Sequence, residues 1–469
     1  MISFWLLGCL AGALPCQEQD EAAAILVHEA SDEGLQAMSA IVAAEGIDLD
    51  LVAAEPLLAN PVCLYVCDDG SILVSETFRL HHGVTDMREH ADWLDRELAN
   101  RTVAERVAMF RELDPDNFDS YDDGEERLRR LVDHDGDGVM DESVVFAAGF
   151  SDPAAGIAAS VLAHGDDVYY TCIPELWRLR DRDGDGKAEE REVLSTGYGV
   201  HVALLGHDLH GLRVGPDGKL YFSCGDRGFL VQTPDGVLDN THTGAVLRCN
   251  LDGSELEIYA TGLRNPQDLV FDAYGNLFTG DNNSDGGDRA RWVQVVEGGD
   301  TGWRFEYQYI ETPTARGPWN EERLWVPHFP GQAAWILPPI ANLADGPSGL
   351  TWYPGTGLDE SYTDHFFLCD FRGGASYSGV HSFAVEPRGA GFALGPVERF
   401  LWGTLVTDID FGPDSALYFT DWVTGWNMTG KGRVYRARLA DASSSAAMDE
   451  AVAEVRVRLA AGFGELDSG

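Results

Sequence analysis

The sequence predicts an all-β fold, a six-bladed β-propeller with a helical insertion in its first blade. Three observations predict it: a strand–turn–strand phrase that returns six times, a last strand able to pair with an early one, and a composition rich in turn formers. The phrase is clearest over 207–228, HDLHGLRVGPDGKLYFSCGDRG. Its centre, GPDG, is a turn in which proline presets φ and glycine accepts positive φ. Leu212 and Val214 alternate before the turn, and Leu220, Phe222 and Cys224 alternate after it. Period two on both sides of a turn reads as a hairpin with one buried face.

The same grammar returns at 61–78, 160–172 and 268–281, more loosely at 349–370, and again at 408–421. Most copies lie about 50 to 80 residues apart, the spacing of propeller blades. The last strand, GRVYRARL at 432–439, is expected to pair with the strand near Leu49 to Val52 and close the ring, removing exposed edges. With 53 Gly and 20 Pro in 469 residues, the chain favours turns over long helices. The exception is 80–131. Within it, Trp93, Leu94, Leu98, Val103, Val107 and Phe110 fall near one face at helical spacing, so this stretch is read as a helical insertion.

The ends are read separately. Residues 2–14 are largely apolar, too short for a bilayer span but suited to a signal peptide over 1–16. A linker over 17–45, the propeller over 46–439 and a tail over 440–469 complete the expected organisation. Export to the periplasm or cell surface is expected, with membrane association only through the N-terminus. A net charge of −45 excludes a nucleic-acid partner, whose phosphates would be repelled. Eight cysteines occur without a CxxC pair, so neither a zinc ribbon nor a c-type haem site is encoded, and buried free thiols are expected.

Two stretches have the spacing of Ca²⁺ loops, DHDGDGVMD from Asp133 and DRDGDGKAEEREV from Asp181. The first offers Asp133, Asp135, Asp137, the Val139 carbonyl and Asp141, but has Val144 where a bidentate glutamate belongs. The second offers Asp181, Asp183, Asp185, the Lys187 carbonyl, Glu189 and Glu192. A solvated acidic turn is the plain alternative. Either way these loops lie away from the strand mouths and are expected to be structural.

The chemistry is expected at one end of the ring. His207, Asp208 and His210 sit at the mouth of one hairpin, and Asp226 and Arg227 follow it. Arg264 and Asn265 precede the next hairpin, and Asp281, Asn282, Asn283, Asp285 and Asp288 follow that one. Blades run round one axis, so equivalent strand ends converge on a central funnel. A cation near Asp281 and Asn282 would polarise a bound oxygen while an imidazole removes a proton. A polar turn with a satisfied arginine is the other reading of the second cluster.

HDLHGLRVGPDGKLYFSCGDRG, GLRNPQDLVFDAYGNLF and VVEGGDTGW resemble the soluble PQQ-dependent sugar dehydrogenases. With DRELANRTVAERVAMF, GPSGLTWYPGTGL and DFRGG, the arrangement is more similar still to the planctomycete and verrucomicrobial membrane-bound dehydrogenase domain. The resemblance spans about 46–439 and implies a six-bladed propeller that oxidises a sugar or polyol hydroxyl. It implies His207 as general base, with His210 a further candidate, and Arg264 orienting the reacting oxygens. Asp226, Arg227, Arg264, Asn265 and Arg372 would meet PQQ, and a cofactor-side Ca²⁺ would sit near Asp281 and Asn282. A carbohydrate or polyol and an electron-acceptor protein are the implied partners. Departures stand out: Gly206 replaces an aspartate before the base, and Leu405 and Thr407 replace two cofactor-binding arginines. That leaves Arg227, Arg264, Arg289 and Arg372 to meet three carboxylates. The rival functions are a Ca²⁺-dependent hydrolase such as a lactonase and a propeller that binds carbohydrate or protein without chemistry.

Overall fold

The computed structural model describes residues 25–311, 315–326, 329, 336–440 and 446–461. The expected signal peptide, with Cys9 and Cys16, lies outside the described residues. Six antiparallel sheets stand around one axis, and the innermost strand of each neighbours the innermost strands on either side. From the axis outwards, the first blade is Pro61–Val66, Ile72–Glu76, Glu126–Val132 and Glu142–Phe150. The second is Ala158–His164, Asp167–Cys172, Glu175–Arg180 and Glu190–Thr196, and the third is Leu209–Val214, Leu220–Cys224, Gly244–Cys249 and Glu257–Leu263. The fourth is Pro266–Phe271, Leu277–Asp281, Arg291–Val295 and Ala341–Asn342, and the fifth is Pro347–Trp352, His365–Asp370, Gly379–Arg388 and Gly391–Trp402. The sixth takes Ile409–Phe411, Leu417–Asp421 and Arg433–Leu439 from the end of the chain and Ile47–Ala53 from its start, with Leu49 opposite Ala437. All six phrases of the sequence are the two inner strands of a blade.

Hydrogen bonds join neighbouring blades near the axis. Hydroxyls on the second strands of the first three blades, Ser75, Thr171 and Ser223, donate to the carbonyls of Ala158, Leu209 and Pro266. Each acceptor is the first residue of the next innermost strand. Asp268 of the fourth blade accepts from Leu350 N–H of the fifth, and Asp408 and Asp410 of the sixth accept from Leu64 and Val66 of the first. A second repeated device closes the strand ends. Glu76, Asp281, Asp370 and Asp421 end their second strands, accept amides of the loop entering the same blade, and pair with a cation. In five blades a register shift falls at the funnel end of the innermost strand, where bulges commonly re-aim side chains.

Three boundaries differ from the sequence reading. The insertion ends before Glu126, because Glu126–Val132 is the third strand of the first blade. It carries two helices, Leu94–Ala99 and Val103–Leu113, because Thr102 and Glu105 form a capping box that starts the second. Its buried face includes Glu97, Arg106, Met109 and Phe110, while Leu98 is exposed. The expected linker over 17–45 is partly folded: Glu33–Met38 is a helix, and Val42–Ala43 pairs with the outer edge of the fifth blade. An extra hairpin, Phe229–Thr233 with Gly236–Asn240, sits between strands of the third blade. All six cysteines among the described residues are free.

Candidate active site

The loops entering the innermost strands surround a cavity of about 610 Å³ at one end of the axis. His207 lines it from the third blade, Arg264 and Asn265 from the fourth, Ser348 and Arg372 from the fifth, and Thr407 from the sixth. These residues are neighbours because all lie at the same end of their blades, at or just before the start of an innermost strand or, for Arg372, just after a second strand.

His207 Nδ1–H donates to Asp226 Oδ1 at 2.6 Å, and Trp303 Nε1–H donates to Asp226 Oδ2 at 2.8 Å. Burial alone would raise the Asp226 carboxyl, but His207, Arg264 and the Trp303 indole outweigh it and hold the group below its usual range. Asp226 is therefore an ionised acceptor that fixes the imidazole tautomer. Nε2 is left as the basic nitrogen, without a partner among the described residues, on a side chain that lines the cavity.

Gly206 has a φ of +78°, a conformation that glycine adopts without strain. Its carbonyl accepts from Asn265 Nδ2 at 3.1 Å and lies 2.9 Å from His210 Nε2. The same His210 nitrogen is 3.2 Å from the Asp208 amide, and burial pushes the ring down to about 4. His210 thus braces the turn that carries His207, and its Nε2 is occupied by backbone, so it is not the proton acceptor. Arg264 stacks over Trp303 at 5.7 Å and donates Nε–H to Gln308 at 3.0 Å. Asn265 Oδ1 is buried without a partner among the described residues.

Other expected residues fall elsewhere. Arg227 does not line the cavity; it is buried behind the wall, bonded to Asp208 Oδ1 at 2.6 Å and the His201 carbonyl. Asp226 meets the base and not a cofactor. Asp281 is not a metal ligand here: one oxygen accepts the Arg264 and Asn265 amides and the other pairs with Arg291, the strand-end device described above. Asn282 lines the cavity, but its side-chain oxygen accepts the Asn283 amide. Arg289 is exposed and outside the cavity. Arg372 does reach the cavity, pairing with Asp370 and Asp345. Sequence reasoning missed Arg88, which reaches the cavity from the insertion while paired with Asp86. It also missed Trp303 as the clamp on Asp226.

The charges bear on the cofactor. Arg88, Arg213, Arg264 and Arg372 line the cavity together with Asp268, Asp285, Asp345 and Asp408. Asp86 and Asp370 hold two of these arginines from behind, Asp410 acts on Arg213, and Asp226 holds His207. Burial pushes the carboxyls of Asp268, Asp408 and Asp410 up, the last to about 6, while Arg213 between them acts in the opposite direction. None of the four guanidinium groups is without a carboxylate neighbour, and the two extra positions are Leu405, buried in the core, and Thr407, bonded to the Pro61 carbonyl. The residues present do not fit a tricarboxylate quinone.

The acidic loops lie far from this chemistry, between the two outer strands of the first and second blades. Carboxylate oxygens of Asp181, Asp183, Asp185 and Glu189 converge within 4.8 Å, as do those of Asp133, Asp135 and Asp141. Among the described residues these are the groups able to close on a metal; the cavity has none. Asp137 is outside the first cluster, its Oδ1 accepting the Val139 amide. Glu192 is outside the second, because it belongs to an outer strand and pairs with Arg178. The eighth residue of each loop docks on the preceding blade: Met140 N–H donates to the Val52 carbonyl and Ala188 N–H to that of Phe146.

Residues 34–426 match the family model described as a domain of unknown function, DUF7133. The chain belongs to that family. This DUF7133 chain is 34% identical over 124 residues to quinoprotein glucose dehydrogenase B of Acinetobacter calcoaceticus, a stretch that covers 21% of the chain and 26% of that protein. The chain thus matches about a quarter of the length of this curated relative. Among solved structures, a Thermus thermophilus protein described as a glucose dehydrogenase superposes with a TM-score of 0.52 at 18% identity, covering 84% of this chain and 100% of that one. The PQQ domain of pyranose dehydrogenase from Coprinopsis cinerea gives 0.50 at 11%, covering 85% and 97%. At these identities the superpositions show the fold.

Proposed function

We propose that this DUF7133 propeller is an oxidoreductase that removes hydrogen from a hydroxyl-bearing carbon of a sugar or polyol. The observation that carries the reading is the His207–Asp226 pair on the cavity wall, in which His207 Nε2 has no partner among the described residues. The matched stretch of a quinoprotein glucose dehydrogenase and the shared fold support oxidation as the reaction class. His207 Nε2 takes the hydroxyl proton, and Asp226 stabilises the imidazolium that forms. Arg264 and the orphaned Oδ1 of Asn265 orient the substrate oxygens. The carbon's hydrogen leaves with two electrons to an acceptor that enters the same cavity, and no step is assigned to PQQ, whose carboxylates the cavity does not match.

The acidic loops are proposed to bind Ca²⁺ structurally, and the apolar run at 2–14 supports export of the chain. The test is reduction of an artificial two-electron dye by the Ca²⁺-loaded protein across a panel of neutral sugars and polyols. Substrate-dependent reduction that disappears in His207→Gln supports the proposal; no reduction with any substrate overturns it. Without an acceptor, the same base would activate water. The lack of uncommitted cations for PQQ therefore favours, as a second reading, a hydrolase such as a lactonase, tested by release of acid from lactones.

A further inference from the structure

We propose that the cavity excludes negatively charged occupants: it receives an uncharged or cationic polyhydroxylated molecule, and PQQ is not its resident cofactor. The proposal rests on reading this cavity as the substrate site, and it names the charge class that site admits.

The observations are of two kinds. Positive charge at the cavity is already matched by carboxylates. Arg88 faces Asp86, Arg213 faces Asp268 with Asp408 and Asp410 nearby, Arg264 faces Asp285, and Arg372 faces both Asp370 and Asp345. Asp285 and Asp345 keep 60% and 41% of their side-chain surface exposed, so an entering carboxylate meets like charge at the mouth. The net charge of −45 adds to that field at long range.

Three buried polar atoms of cavity-lining residues lack partners among the described residues, and all three are neutral. Asn265 Oδ1 is a buried acceptor, Trp422 Nε1 a buried donor and Ser348 Oγ a buried hydroxyl. All three belong to residues that line the cavity. An acceptor, a donor and a hydroxyl left unsatisfied together match hydroxyl groups on a ligand and offer an anion little. Trp426, 41% exposed on the same wall, presents a flat apolar face of the kind that covers the C–H face of a sugar ring.

The experiment is calorimetric titration of the full chain with PQQ, with Ca²⁺ present and at about 0.1 M salt, where surface charge is screened beyond roughly 10 Å. The wild type is expected to give no saturable heat up to about 100 µM PQQ, a level that would reveal micromolar affinity. The double variant Asp285→Asn with Asp345→Asn, which releases Arg264 and leaves Arg372 paired with Asp370 alone, is expected to bring PQQ binding into the measurable range. In parallel, tryptophan fluorescence should respond to glucose and glucosamine and not to glucuronate. Saturable micromolar PQQ binding by the wild type that weakens in Arg372→Ala would overturn the proposal. So would a response to glucuronate as strong as that to glucose, or a folded double variant as indifferent to PQQ as the wild type. The dehydrogenase reading fails separately, in dye reduction, so the two failures are distinguishable.

Discussion

The indole N–H of Trp303 bonds the one oxygen of Asp226 that His207 leaves free, so a single carboxylate is clamped from two sides, 2.8 Å from one and 2.6 Å from the other. That clamp makes the pair testable without disturbing its shape. Asp226→Asn keeps the size of the side chain but removes the charge that holds the tautomer and supports the imidazolium. Turnover should fall about 10²–10⁴-fold, the range for loss of general base catalysis, with a circular dichroism spectrum like that of the wild type. Wild-type turnover in Asp226→Asn would reject the role given to His207.

Asp281 provides the contrast. It is fully buried, and its partner Arg291 has no other carboxylate contact among the described residues. Asp281→Asn keeps an acceptor for the two loop amides but strands a buried guanidinium, which should cost about 3–5 kcal/mol. The loss of stability should be the same in Ca²⁺ and in chelator. A loss seen only with Ca²⁺ present would restore Asp281 as a metal ligand.

The acidic loops should respond unequally. Four carboxylates converge in the second and three in the first, so Asp183→Ala should blunt the rise in melting temperature with Ca²⁺ more than Asp135→Ala does. Calorimetric melts in Ca²⁺ and in EGTA read this directly. Identical melting curves in the two would show that neither loop binds the ion.

Glu97 predicts a pH dependence. Burial pushes its carboxyl from 4.5 up to about 7, with one oxygen accepting the Ala203 amide at 2.9 Å. Between about 4.5 and 7 the folded state holds a proton that the unfolded state has lost. This contribution to stability is therefore present at low pH and lost as pH rises through about 7. Glu97→Gln should stabilise the protein at pH 8 by on the order of 2–3 kcal/mol and have little effect near pH 4. Denaturant melts at the two pH values measure it, and an equal effect at both would exclude titration as the cause.

The ring was legible in the sequence because period-two alternation around Asp-Gly and Pro-Asp turns needs no long-range information. His207 and Asp226 were both singled out because one hairpin carries them at its two ends, but their pairing was not legible, since the resemblance assigns Asp226 to the cofactor. Asp281 was misread for a physical reason: a carboxylate at a strand end looks the same in sequence whether it takes loop amides and an arginine or a cation. The clue was available in the repeats. Asp421 also ends a second strand, and Arg433 opens the strand after it as Arg291 does. Arg88 was not legible, because it comes from an insertion with no counterpart in the other blades.

The joining of 47–53 to 433–439 has a consequence for biosynthesis. Until Arg433 and the residues after it have left the ribosome, the growing chain can form only an open arc. Its first strand waits with an unpaired edge through the making of five blades. Asp48 and Asp50 on that strand repel a second copy of themselves, and Asp50 is later met by Arg436 at 2.9 Å and Arg438 at 3.0 Å. The edge is thus guarded against nascent neighbours on a polysome by the same carboxylates that receive its true partner. A chain stopped anywhere before Arg433 stays an open arc with an unpaired, acidic first strand.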